Sequence, residues 1–329
     1  MKFLVQLLSV SSIVLFLASS RADAQPEEVI TKLPEPQPLT LKTADLVSLH
    51  CTYYPGGIIE GRDKKYSRKS GKEVVPVILL HGWEGQRGDY DALASYLQKQ
   101  GHAVVVPDLR GHGRSTKLKL PNGNEIKIDR DRMRSSDINS MVKDVEAVKK
   151  FFLQKNNVGE LNIEMLCIVG AELGSIIGVN YAALDWSRPQ LSFQKQGMDV
   201  KALVLLSPLQ SFKGATLAKS LQTKAIAQIL SVMLVVGEGD LKSIKDTKAI
   251  HKRLEKYHKE PKRQDVAEKK DLFLITKKKT RLKGTDLVHP RANLDVHVDV
   301  RTFIQLRLVN KKEDHPWKER KNPLAVNDE

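Results

Sequence analysis

Gly170-Ala171-Glu172-Leu173-Gly174 constrains this chain more than any other stretch. Glu172 is bracketed by glycines two residues away on either side. The five residues join an apolar, strand-like run, Leu161 to Val169, to a segment rich in small and apolar residues, Ser175 to Leu184, that reads as a helix packed on a sheet. The spacing is that of G-x-S-x-G, a sharp strand-to-helix turn whose central residue is strained and whose glycines let neighbouring backbone pack close. Here a carboxylate stands where that turn presents a serine hydroxyl. The question the motif raises is therefore whether chemistry survives, more than what the fold is, and five residues need the rest of the chain beside them.

The flanking sequence repeats the strand-helix alternation. Val74 to Leu80 is an apolar run ending in His81-Gly82-Trp83, and Ala103 to Val106 is a second, ending in Pro107-Asp108-Leu109-Arg110-Gly111-His112-Gly113-Arg114-Ser115. Between them Tyr90, Leu93, Ala94 and Leu97 recur at helical spacing. A longer helix is expected over Asp137 to Leu153, with Ile138, Met141, Val142, Val145, Val148 and Phe152 on one face. Further strands are expected at Ala202 to Leu206, Val232 to Val236 and Leu272 to Thr276, and Leu46 to Tyr54 alternates like an early antiparallel strand. This pattern specifies an α/β architecture, a mostly parallel central sheet with helices on both faces.

The block LLHGWEGQRGDYDALASYLQKQGHAVVVPDLRGHGRS, followed by GAELG, resembles the N-terminal half of the α/β-hydrolase superfamily, nearest to its compact esterase, lipase and serine-aminopeptidase-like members. The resemblance runs from about Leu46 to Leu308 and is dense up to Leu184. It implies an α/β-hydrolase fold, and Ser207 to Ser231 is too short to hold a large cap domain.

With 41% hydrophobic residues in 329, one such domain can bury a full core. Residues 1–24 read as a signal peptide: Lys2, an apolar run from Phe3 to Leu17, and a small-x-small site at Ala22-Asp23-Ala24. The expected product is an exported protein, periplasmic or secreted, beginning at Gln25. Pro26, Pro34, Pro36 and Pro38 mark 25–45 as an extended linker, 46–310 form the hydrolase-like domain, and 311–329 read as a basic polar tail. Asn122-Gly123 signals a hairpin. Cys51 and Cys167 fall in separate strands and read as two buried thiols rather than a bridge. No metal-ligand cluster is visible and no cofactor is expected; His102 and His112 read as polar loop groups.

The resemblance also assigns a site. The nucleophile position is Glu172, and the oxyanion-binding N–H groups would come from Trp83 and Leu173. The acid position is Asp240, with Glu238 behind it, although Asp240 reads equally well as a helix cap before Leu241. The base position should follow Gly284, where the chain has Thr285, Asp286 and Leu287; the nearest histidine is the later His289. A carboxylate is already ionised at neutral pH and some superfamily members attack through aspartate, but glutamate reaches roughly 1.4 Å further, and a misplacement of ~1 Å costs about a hundredfold in rate. Ser175 and Ser207 read as structural hydroxyls rather than substitute nucleophiles.

The formal charge is +15. Basic residues cluster at 62–72, 252–263, 277–283 and 311–321. For an exported chain the matching partners are an anionic envelope surface or an acidic polysaccharide, set against a plainly solvated basic surface; nucleic acid is not expected. The sequence thus points to a pseudoenzyme that binds a small anionic or acyl ligand or an envelope partner, with an active hydrolase using Glu172 or a surrogate as the alternative. It does not fix the oligomeric state.

Overall fold

The computed structural model describes residues 30–192 and 195–320. The expected signal peptide lies outside the described residues, as does the linker's beginning.

Eight strands form one sheet: β1 (Gln37–Lys42), β2 (Ser48–Tyr54), β3 (Pro76–Leu80), β4 (Ala103–Pro107), β5 (Leu166–Ala171), β6 (Val200–Leu206), β7 (Ser231–Gly237) and β8 (Leu272–Lys277). Their spatial order is β1-β2-β4-β3-β5-β6-β7-β8. β2 runs antiparallel to both β1 and β4, and every pairing from β4 through to β8 is parallel. Five long helices cover it: α1 (Asp91–Lys99), α2 (Val142–Asn157), α3 (Leu173–Ser187), α4 (Leu241–Glu255) and α5 (Val296–Arg307).

The sequence dictates this sandwich directly. Along β6, Leu203 and Leu205 face a core shared with Val145, Phe152 and Ile176, while Ala202, Val204 and Leu206 face a second core with Leu97, Phe303 and Ile304. Strands apolar on both sides need a helical layer on each. α2, α3 and α4 supply one layer, α1 and α5 the other. Between β6 and β7 the chain makes only a small hairpin, Ser211–Phe212 with Ala215–Thr216, plus two short helical turns.

Some expectations change. The proline-rich segment is not wholly a linker: Gln37 to Lys42 form the edge strand β1, and an outermost strand, which leaves one side of its backbone unpaired, is where a sheet tolerates a proline such as Pro38. The helix expected over 137–153 divides into Ser135–Asn139 and α2. The C-terminal tail is docked as far as Arg320, whose guanidinium reaches Glu164 at 2.9 Å and Asp199 at 2.6 Å, while Trp317 donates to the Asn156 carbonyl at 3.3 Å. The run read as a basic polar tail thus ends, at Arg320, in buried ion pairs. The hairpin at Gly123 is present, joining Lys117–Lys119 to Glu125–Lys127, and both cysteines are buried free thiols. Among the described residues no helix is long and apolar enough to cross a membrane.

Candidate functional site

β5 and α3 meet at Glu172, at the end of the sheet to which β3, β5 and β6 all point. Its backbone lies at φ 47° and ψ −107°, a region that costs a non-glycine residue on the order of 1–3 kcal/mol. Tertiary packing over-determines it. The Glu172 N–H donates to the Leu206 carbonyl at 2.9 Å, its carbonyl accepts from the Ser175 N–H at 3.1 Å, and the Ser175 hydroxyl donates to the Gly170 carbonyl at 2.6 Å. The two glycines are required by space: a Cβ on Gly174 would lie 2.2 Å from the Leu80 carbonyl oxygen, and one on Gly170 2.4 Å from that of Gly174. The strained turn survives without a serine to present.

The Glu172 side chain lies in a slot between two further glycines. A Cβ on Gly82 would come 2.7 Å from its Oε2, and one on Gly284 3.0 Å. Lys283 Nζ sits 3.2 Å from Oε1, and that contact raises the lysine's pKa, helped by the charges of Asp240 and Glu84. Lys283 is 60% exposed, so the pair contributes at most about 1 kcal/mol to stability. Its importance is positional: an ammonium occupies the carboxylate's outward side.

A cleft of about 220 Å³ opens above this pair. Trp83, Leu173, Leu209 and Phe212 give it apolar walls, and Glu84, Glu172 and Asp240 face Lys242 and Lys283 across it. Trp83 is fixed from several directions. Phe212 packs against its ring at 5.1 Å between centroids, Lys213 Nζ lies 4.1 Å from the ring centre, and the Trp83 carbonyl meets the His112 Nε2. His81 underlies the same loop, donating from Nδ1 to the Gly82 carbonyl at 2.7 Å and accepting at Nε2 from the Leu109 N–H at 3.0 Å. That pairing requires a neutral ring, and burial lowers its pKa to about 4.

The sequence-derived positions separate into two groups. Glu172, Asp240, Trp83 and Leu173 converge on the cleft, and neither the Trp83 nor the Leu173 N–H donates to another described residue. Asp240 caps α4, accepting from the Ser243 N–H at 3.2 Å, while its Oδ2 is buried with no donor among the described residues. His289 lies elsewhere. It is exposed, its Nδ1 accepts from the Arg291 N–H at 3.2 Å, and it lines a different cleft with Asp89, Asp91 and Thr285. The reason is local: residues 284–288 wind into a 3-10 turn, which carries position 289 away from Gly284. Among the described residues no histidine lines the Glu172 cleft.

Three participants were not legible in the sequence. Lys283 belongs to a general run of lysines, and only the fold places it against Glu172. The Phe212–Lys213 hairpin tip has a weak signal in Lys213-Gly214, both at positive φ as a two-residue turn demands. His112, read as a polar loop group, is buried against Trp83, and His102 is buried too. Ser207 is also buried, at φ 46°, with no partner for its hydroxyl among the described residues. Among the described residues no group of three or more His, Cys, Asp or Glu could hold a metal ion.

Comparison with known proteins agrees with this architecture. The serine aminopeptidase S33 family matches residues 72–271. The chain is 28% identical over 132 residues to the AB hydrolase superfamily protein YisY of Bacillus subtilis, covering 40% of this chain and 37% of that one. It is 45% identical over 49 residues to a bifunctional esterase/perhydrolase of Acinetobacter calcoaceticus, covering 15% of this chain and 18% of that one. The matches thus span well under half the length of these curated relatives. Among solved structures, an esterase of Pyrococcus furiosus superposes with a TM-score of 0.55 at 15% identity, covering 83% of this chain and 91% of that one. A dienelactone hydrolase of Anabaena variabilis gives 0.50 at 14% identity, covering 87% and 100%.

Proposed function

The chain belongs to the serine aminopeptidase S33 family of α/β-hydrolase folds, and we propose that within it this protein is a catalytically degenerate member that binds a small acyl compound in the former active-site cleft. The observation that carries the reading is the strained turn built around Glu172, with Lys283 on its carboxylate and no histidine among the cleft's lining residues. A serine-hydrolase cycle needs a hydroxyl and a base to take its proton. The cleft offers neither on the turn. Hydrolysis through Glu172 itself would need a base for the water that cleaves the ester, and His289 lies outside the cleft.

What remains is suited to binding. Two unpaired backbone N–H groups suit a carbonyl oxygen, and the walls of Trp83, Leu209 and Phe212 suit a short hydrocarbon chain. Three carboxylates against two ammonium groups disfavour an anion, so a neutral acyl ligand fits better than an anionic one. The cleft is smaller than the ~300–1,000 Å³ typical of drug-sized sites, which keeps the ligand small. Export belongs to the same proposal, supported by the leader-like residues 1–24.

Calorimetric titration with hexanamide and with hexanoate tests both parts. Hexanamide should bind more tightly by about fivefold, equivalent to ~1 kcal/mol, and be recovered intact after prolonged incubation. Its conversion to hexanoate at a protein-dependent rate would overturn the degenerate-site reading, and failure of both compounds to bind would overturn the ligand.

A further inference from the structure

Residues 242–283 hold sixteen lysines and arginines against six aspartates and glutamates, so this segment alone carries ten of the chain's fifteen excess positive charges. The charge is ordered where it falls on α4. Ser243, Thr247, Ile250 and Leu254 turn inward, and Lys245, Lys248, Lys252 and Lys256 recur three and four residues apart on the outward face, with Lys242 at the start of the row. The row spans roughly 21 Å at 1.5 Å per residue. None of these five ammonium groups pairs with a carboxylate among the described residues. Surface lysines elsewhere do, as Lys99 with Glu60, Lys155 with Glu160 and Lys312 with Glu73. Like charges at these spacings each cost a helix ~0.2–0.5 kcal/mol, and the row sets four such pairs in succession. Arg281 extends it, lying over the Gly239 turn that leads into α4, and exposed Lys278 and Lys279 flank it.

We infer that this row on α4 is a binding surface for a linear acidic polysaccharide. Uncompensated like charges along one helix face are stabilised by an extended polyanion laid along them. A membrane surface fits less well, because interfacial helices sink an apolar face beside their cations and the apolar face of α4 is buried against the sheet. Nucleic acid fits less well too. Along the row no aromatic ring alternates with the lysines to stack successive bases, exposed Tyr257 standing only at its end, and one straight row suits a single chain better than the two rails of a duplex. This surface is separate from the acyl cleft except at Lys242, which lines both, and does not depend on what the cleft binds.

The test uses polygalacturonate, with anionic phosphatidylglycerol vesicles and duplex DNA as competing probes. The full chain should bind polygalacturonate, and binding should weaken steeply as salt rises from about 50 to about 200 mM. The quadruple substitution Lys245→Glu, Lys248→Glu, Lys252→Glu and Lys256→Glu should weaken it by about tenfold or more. A control of equal charge change at exposed Lys64, Lys65, Lys119 and Lys127 should shift it by less than about threefold. Circular dichroism checks that both variants fold; should the α4 variant not fold, Lys→Gln at the same four positions takes its place. Equal losses in the two variants would show that net charge alone drives binding and would overturn the inference. So would stripe-dependent binding to vesicles or DNA in the absence of binding to polygalacturonate.

Discussion

At the scale of single residues, what can be read from the sequence depends on how short the relevant contacts are along the chain. Glu172 and its glycines announce themselves because the turn is five residues long and its geometry is enforced within them. Asp240 follows from a strand end and a cap, again local. Lys283 carries no such mark: it touches Glu172 across more than a hundred residues, and another lysine in the run would read the same. The histidines behave likewise. His81 and His102 become fully enclosed in the fold, with pKa values lowered by burial to about 4 and about 3 from an ordinary 6.5. The unfolded chain therefore takes up protons below about pH 6.5 that the folded chain refuses. Stability is present above that pH and is lost as pH falls toward 4, by about 1.4 kcal/mol per pH unit for each ring. Denaturant melts at pH 7 and pH 5 should differ by about 2 kcal/mol or more, and His102→Leu should reduce the slope. A flat profile from pH 6.5 to 4.5 would show that these rings are not held neutral.

At the scale of elements, strands and long helices were legible because each is apolar on the face it buries. β3, β4, β6, β7 and β8 lie where apolar runs place them to within two residues, whereas the run expected from Leu161 pairs only from Leu166, because Asn162 caps a 3-10 turn over Ile163–Met165. The edge strand was hidden by its prolines: composition reads Gln37 to Lys42 as linker, whereas pairing with β2 is a long-range outcome. The break between Ser135–Asn139 and α2 was hidden for the opposite reason, since the apolar period continues through Met141 and Val142. The contact of α3 with β3 is the tightest between elements near the site. Gly174→Ala would drive a methyl group into the Leu80 carbonyl at 2.2 Å, where backbone must move rather than a side chain. We expect a loss of about 3 kcal/mol, visible as a lower denaturation midpoint; a change under about 1 kcal/mol would mean that the helix sits less closely on the sheet.

At the scale of the whole molecule, the last described residues dock at the end of the sheet opposite the cleft, where β5 and β6 begin. Arg320 reaches Glu164 and Asp199, and Lys149 bridges Asp199 and Asp185 at 2.6 Å each, so five separate stretches of the chain, α2 and α3 among them, share one buried charge network. Removing one partner leaves carboxylates enclosed with too few cations. Arg320→Ala should cost about 3 kcal/mol in chemical denaturation, whereas an exposed lysine such as Lys127 changed to Ala should be close to neutral. Equal effects would show that the tail is not anchored through this contact. The same global order explains the site: the strained turn is held by backbone packing in which the Glu172 side chain takes no part.

On the proposed reading the Glu172 turn is a scaffold and performs no hydrolysis. The most direct test of that reading is the hydrolysis of p-nitrophenyl butyrate by the wild-type protein beside Glu172→Ala, both purified identically and checked for folding. Indistinguishable rates are expected. A wild-type rate about tenfold or more above that of Glu172→Ala, a difference of ~1.4 kcal/mol in barrier, would contradict the reading.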